Sequence, residues 1–355
     1  MKKVLATVLA LVMALGLCTT SWAETTANCT AEGCEHKAAI GTTHYDTLTA
    51  AVEAATNGQT IVLMAGTAED ITVANGKDIT IDLNGKTVKN VTSDTITVAL
   101  GAKLTITGTG TVDNVTHGKA AIYNNGTVIL NGGSYTRSKE NPDNNKEDAK
   151  GNSFYTILSD NGATMTINEG VTVTNVGHFS SMIRNGGTSA STLIINGGTF
   201  SGGLNAIKND EAGVLTINGG DFSNASQFVV MNWHKTTING GSFKALSSAE
   251  AVLFTAKYAE NTAVGELTII NGTFERSSDT QKMIRDYYDE DNKGTAAISG
   301  GAFKDATGKA VDVSAYLVAG KQQNSDGSVG NKSYYYYPST SDTTTSTTTK
   351  GSPKN

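Results

Sequence analysis

Several side chains in this sequence are of the types that handle sugars, and their spacing could bring them into one line. Six dipeptides recur in which a β-branched residue precedes a variable one: Ile122-Tyr123, Ile157-Leu158, Ile183-Arg184, Ile207-Lys208, Val230-Met231 and Ile284-Arg285. In a strand, the residue after an inward one points out. If these dipeptides sit in strands stacked about 4.8 Å apart, their second members form one outward column, with Arg184 and Lys208 as neighbours. Asp210, Glu211, Trp233, His234, Asp286, Tyr287 and Tyr288 follow closely in the chain. Rings stack on pyranose faces, and Arg grips carboxylates through paired N–H bonds. Tyr123, Arg184, Lys208, Trp233, His234, Arg285 and Tyr287 are therefore the candidate glycan-binding residues. The plainer alternative is that Arg and Lys solvate a sheet face and Trp233 plugs a loop. It weighs more on sequence alone, because surface charge is the ordinary way to keep strands soluble.

Other reactive residues are sparse. His117 (in THGK) and His178 (in VGHF) have no acidic neighbour in sequence. Asp286, Asp289, Glu290, Asp291 and Asn292 offer oxygen ligands for Ca²⁺, but without the Asp-x-Asp-x-Asn-Gly loop pattern. A solvated acidic turn is expected there, with no metal or cofactor. Cys29 and Cys34 read as a local disulfide in an exported chain. Adding His36 and His44 to them gives poor spacing for zinc. Glycoside hydrolysis needs two carboxylates across the scissile bond, and no such pair stands out, so no catalytic residue is assigned.

What must position the column is a repeated phrase. Copies read VILNGGSY (128–135), LIINGGTF (193–200), LTINGGDF (215–222), TTINGGSF (236–243), LTIINGTF (267–274) and AAISGGAF (296–303). Looser copies are ITIDLNGKTV (79–88), LTITGTGTV (104–112) and MTINEGVTV (165–173). Phe200 to Phe222 is 22 residues and Phe222 to Phe243 is 21. In Leu215-Thr216-Ile217 apolar residues alternate with Thr, the period of a strand. Gly219-Gly220 makes a turn that calls for positive φ, and Phe222 restarts a strand facing inward. Each unit thus holds about three short strands. It can bury its apolar side only by stacking on copies of itself. Stacking aligns Ile167, Ile195, Ile217, Ile238 and Ile298 inward, and Asn131, Asn168, Asn196, Asn218 and Asn239 at the corner. In LTIINGTF, Asn271 replaces the first Gly, as the residue that best tolerates a left-handed turn after Gly. Outward Thr80, Thr105, Thr166, Thr216, Thr237 and Thr268 are interrupted by Ile129, Ile194 and Ala297. That column reflects the β-propensity of Thr rather than an ice-binding lattice.

The chain has 355 residues, with 39 Gly, only 3 Pro and 17% charged residues, which suits a turn-rich β protein. Residues 1–23 read as a signal peptide: Lys2 and Lys3, an apolar run from Val4 to Leu17, and cleavage after Ser21-Trp22-Ala23. Losing two lysines takes the formal charge from −6 to −8, so no nucleic-acid partner is expected. Residues 24–45 form an N-terminal segment. Residues 46–330 form the solenoid, in which 46–59 is a capping helix ended by Asn57-Gly58 and 311–317 closes the stack. Residues 331–355 are a Thr/Ser-rich disordered stalk or tail. No transmembrane helix is expected in the mature chain.

EHKAAIGTTHYDTLTAAVEAATNGQTIVL near the start, IDLNGKT, the NGG[ST]F copies and VDVSAYLVAG together resemble the INGGTF-repeat surface proteins of gut Gram-positive bacteria. The resemblance covers roughly residues 36–330. It implies an all-β, right-handed parallel β-helix of the pectin-lyase-like type, with about ten coils. Hydrolases of that type carry Asn-Thr-Asp, Asp-Asp, Gly-His-Gly and Arg-Ile-Lys signatures, none of which occurs here. The expectation is a monomeric, secreted or cell-surface, non-catalytic protein that binds polysaccharides or host glycans as an adhesin does. A polysaccharide lyase or glycoside hydrolase with an unrecognised site, and a structural spacer, stay open.

Overall fold

The period of two is realised residue by residue. In Val214–Ile217, Leu215 and Ile217 are buried and Thr216 between them is half-exposed. The computed structural model describes residues 35–140, 155–177, 180–259 and 262–333. Within them the chain passes through three sheets in turn. Val214–Ile217 lies in sheet 1, Asp221–Ala225 in sheet 2 and Phe228–Asn232 in sheet 3. Lys235–Ile238 then returns to sheet 1, parallel to Val214–Ile217, with Ile217 opposite Ile238. The sheets have 12, 10 and 9 strands. The result is a parallel β-solenoid of about nine turns, rather than about ten. The final strands of sheets 1 and 2, Thr295–Ile298 and Ala302–Asp305, are not followed by a sheet 3 strand among the described residues.

Inside, the Ile column is fully buried. Beside it Phe200, Phe222, Phe243, Phe274 and Phe303 stack face to face, with centroids 4.6–4.9 Å apart. That spacing is the rung distance itself, so the ring stack and the backbone ladder share one repeat. Tyr135 takes the same place in an earlier turn, and its hydroxyl donates to the Gly132 carbonyl oxygen (2.9 Å). Burial raises its pKa.

The corner after sheet 1 explains the double Gly. Only the second Gly is left-handed, with φ 112° at Gly220 and 106° at Gly241. The first is required by close approach: a Cβ at Gly240 would lie 2.7 Å from the Asn218 carbonyl oxygen of the turn before. This corrects the account of Asn271. It stands at the first position, while Gly272 keeps the positive φ (129°). The corner asparagines do form a ladder. Asn168, Asn196, Asn218 and Asn239 each donate from Nδ2 to the Oδ1 of the asparagine one turn earlier, at 2.7–2.8 Å. The ladder ends where Ile270 occupies the next place.

Sheet 1 begins before residue 46, inside the segment expected to be separate. Ala38–Ile40 pairs antiparallel with both Thr43–Tyr45 and Thr60–Leu63. The one α-helix among the described residues, α1 (Leu48–Ala54), follows, with the Thr47 hydroxyl accepting from the Ala50 N–H. Leu48, Ala51, Val52 and Ala55 are buried. α1 stops at Ala55, whose ψ of 134° is extended, before Asn57-Gly58; Gly58 (φ 85°) serves the turn into the first rung instead. Glu69 from the neighbouring coil accepts from the Leu48 and Thr49 N–H groups (2.9 and 2.8 Å), two donors that a helix start leaves unpaired. At the other end Val311 and Val313 are buried, and the Val318 N–H donates to the Ile298 carbonyl oxygen.

Residues 1–34, Cys29 and Cys34 among them, residues 141–154, His178 and the tail beyond Ser333 lie outside the described residues. Among those described, no helix is long and apolar enough to cross a membrane.

Candidate functional site

The outward column on sheet 3 exists in register. Tyr123, Leu158, Arg184, Lys208, Met231, Phe254 and Arg285 oppose one another across successive strand pairs. Phe254, from Ala251–Thr255, is the member absent from the dipeptides, because its strand reads Ala-Val-Leu-Phe-Thr with no single inward residue standing out.

One half of the column is ionic. Arg184 donates from Nε to Asp210 Oδ2 (2.8 Å) and from Nη1 to Asp160 Oδ2 (3.0 Å). Lys208 Nζ lies 3.1 Å from the same Asp210 oxygen. Burial works against the Arg184 charge. The Asp210 hydrogen bond and the charges of Asp210 and Asp160 outweigh it, so the guanidinium pKa is raised. The Tyr155 ring lies 5.8 Å from that guanidinium. Two cations thus meet two carboxylates. The forked grip on a ligand carboxylate expected of Arg184 is already used within the protein.

The other half is aromatic. Trp233 was to offer a stacking face, but it is only 4% exposed. It packs with Phe228, Ala251, Phe254 and Ala256 in a small apolar cluster on the outer side of sheet 3. Edge-on rings surround it: Phe254 at 4.8 Å, Tyr258 at 5.3 Å and Tyr288 at 5.5 Å. The rings that do face solvent are Tyr258 (47% exposed) and Tyr288 (55%). Tyr258 was not anticipated, since it sits in a loop without strand periodicity.

The remaining predicted residues fall at the margins. His234 Nδ1 lies 3.1 Å from the Gly213 carbonyl oxygen, a structural bond that holds the ring. Arg285 is paired with Glu250 and donates to the Tyr287 and Tyr288 carbonyl oxygens. The Tyr287 hydroxyl accepts from Lys282 Nζ at 2.7 Å. That bond, with the Lys282 and Arg285 charges, lowers its pKa despite an opposing effect of Asp286. Asp289 accepts from the Asn292 side chain and from the backbone N–H groups of Asp291 and Asn292, so the acidic run folds onto itself. No group of three or more His, Cys, Asp or Glu suited to a metal occurs among the described residues. His117 does have an acidic partner, Glu140, 2.9 Å away and also bonded to Arg137. It was missed because it lies 23 residues off, one turn along.

Beneath the column runs a second, buried ladder that sequence reasoning did not see. Asn185 donates to Asn209 (2.9 Å), Asn209 to Asn232 (3.0 Å) and Asn232 to the Thr255 hydroxyl (3.1 Å). Each asparagine also ties down a backbone carbonyl at the turn into sheet 1, such as Lys235 for Asn209 and Glu266 for Asn232. The signal was present as an apolar-x-Asn phrase: Ile-Arg-Asn, Ile-Lys-Asn and Val-Met-Asn. This ladder fixes the ends of the sheet 3 strands from Ile183–Asn185 to Ala251–Thr255 and so the pitch of that stretch of the column.

Grooves elsewhere are shallow and open. One of about 680 Å³ follows the Asn-Gly-Gly corner, and one of about 550 Å³ lies by Lys37, Glu69 and Lys89 near the first coil. Compared with family models, with curated proteins and with solved structures, the chain matches none.

Proposed function

We propose that this is an exported surface or secreted protein, not an enzyme, that binds glycans along the outer face of sheet 3. The observation that carries this reading is the in-register column from Tyr123 to Arg285, with an ionic stretch at Arg184 and Lys208 and an aromatic cluster built around Phe254. A regular column on a rigid solenoid suits a regular polymer. Its cations are matched by Asp160, Asp210 and Glu250, so the polymer is neutral rather than a polyuronate. In the same reading the winding is right-handed, as parallel crossovers nearly always are. α1 caps the N-terminal end, residues 1–23 direct export, Cys29 and Cys34 pair, and the chain belongs with the INGGTF-repeat proteins that it resembles.

Native gels cast with xylan, mannan, pectin or alginate test this. Retardation in a neutral polymer without a cleared zone is the expected result. A cleared zone replaces the reading with an enzyme. No retardation across the panel leaves the solenoid as a spacer.

A further inference from the structure

The aromatic half of the column holds a feature that packing alone does not explain. Trp233 Nε1 is buried and has no hydrogen-bond acceptor. A buried donor without a partner is destabilising, and Trp is ordinarily placed where its N–H reaches one. The indole is covered on its outer side by Tyr258 and Tyr288, both about half exposed. Its inner neighbours, Phe228 and Phe254, are fully buried and stacked 4.7 Å apart, a fixed floor.

We propose that Trp233, Phe254 and Tyr258 form a pyranose-binding subsite covered by Tyr288, an inference that rests on the glycan reading above. Tyr288, the more exposed ring, swings away. A sugar ring takes its place with its C–H face on the indole, and Nε1–H donates to a sugar hydroxyl oxygen. The chemistry separates this ligand from others that favour aromatic cages. A quaternary ammonium uses the same rings but brings no acceptor for Nε1. An apolar side chain likewise leaves Nε1 unpaired.

The full chain carrying Trp22→Phe makes Trp233 the sole tryptophan and its emission the reporter. Xylohexaose or cellohexaose is expected to shift that emission saturably, and tetramethylammonium to leave it unchanged. Binding measured by calorimetry should weaken at least tenfold in Trp233→Phe, which keeps a packed ring and removes the donor. It should tighten at least threefold in Tyr288→Ala, which uncovers the indole. Tightening distinguishes a cover over a binding face from a mere packing ring. Retardation by a neutral polymer that Trp233→Phe leaves intact, with no emission change, overturns the subsite and spares the column. No sugar binding by any method overturns both. A response to tetramethylammonium but not to the sugars overturns the subsite in favour of an ammonium cage.

Discussion

Asp210 is the residue on which the ionic half of the column turns. It takes a hydrogen bond from Arg184 and an ion pair from Lys208 while only 7% of its side chain is exposed. Removing one partner of a buried ion pair strands the others in a poor solvent. Asp210→Ala is therefore expected to cost about 2 kcal/mol, discounted from a fully buried pair because both cations keep some water. Replacing Lys208 by Met in the same chain should recover part of the loss. Urea midpoints at neutral pH measure both. A loss under about 0.5 kcal/mol would make these ordinary screened surface pairs. That Arg184 and Lys208 are neighbours was readable from the residue after each Ile, because strand periodicity carries that information. Their carboxylates were less so: Asp160 and Asp210 sit in turns, outside any period. The burial of Trp233 was not readable either, since its cover comes from Tyr258 and Tyr288, in loops whose path no period specifies.

At the scale of elements, two asparagine ladders run along the solenoid and differ in what surrounds them. Asn196 at the corner is solvated, and water replaces its bonds if it is lost. Asn209 in the buried ladder binds Asn232 and the carbonyls of Gly213 and Lys235, and accepts from Asn185. Asn209→Ala leaves several buried polar groups unpaired and should cost about 3 kcal/mol, against less than about 1 kcal/mol for Asn196→Ala. Equal costs would show that ladder bonds, rather than burial, set the energy. The end of α1 offers a test in pH. Burial raises the Glu69 pKa, but the hydroxyls of Thr49 and Thr67 and the N–H groups of Thr49 and Leu48 outweigh it, so it lies below the ordinary 4.5. A carboxyl with a depressed folded pKa stabilises fully above its unfolded value, and the contribution is lost as pH falls through the folded one. Glu69→Gln should thus lower stability by about 1 kcal/mol at pH 7, with allowance for its half-exposure. The difference from the parent chain should shrink as pH drops below 4.5. A gap that persists at pH 2 would mean the carboxylate is not the stabilising form. The helix was visible in sequence over residues 46–59. Its partner Glu69 was not, because that contact crosses between coils.

For the whole molecule the governing fact is that each coil touches chiefly the coils on either side, so the fold is nearly one-dimensional. The repeat was legible for this reason: each turn must remake the same corner, and the INGG phrase records it. The exact number of turns was less legible, because the terminal coils lack the full phrase. One-dimensionality has a sharp consequence. Deleting Ser201–Phe222 removes one coil and joins Phe200 to Ser223, which already oppose Phe222 and Ser201 respectively. After the cut, Asn224 (φ 61°) takes the left-handed place held by Gly202 (φ 106°). Phe200 then stacks on Phe243, Asn185 meets Asn232, and Arg184 stands beside Met231. The shortened chain is expected to keep its β circular dichroism and one cooperative melt at a lower temperature. Deleting Ser201–Asp221, one residue fewer, places Phe200 next to Phe222 and turns alternate side chains of the joined strand to the wrong face. That variant should lose cooperative melting. If both deletions melt alike, the coils are not interchangeable units and the stack depends on contacts beyond nearest neighbours. If only the in-register deletion survives, the length of the solenoid is a free variable. The aromatic half of the column then remains intact while Lys208 and Asp210 are gone, so residual binding to a neutral polymer in the same gels apportions recognition between the two halves.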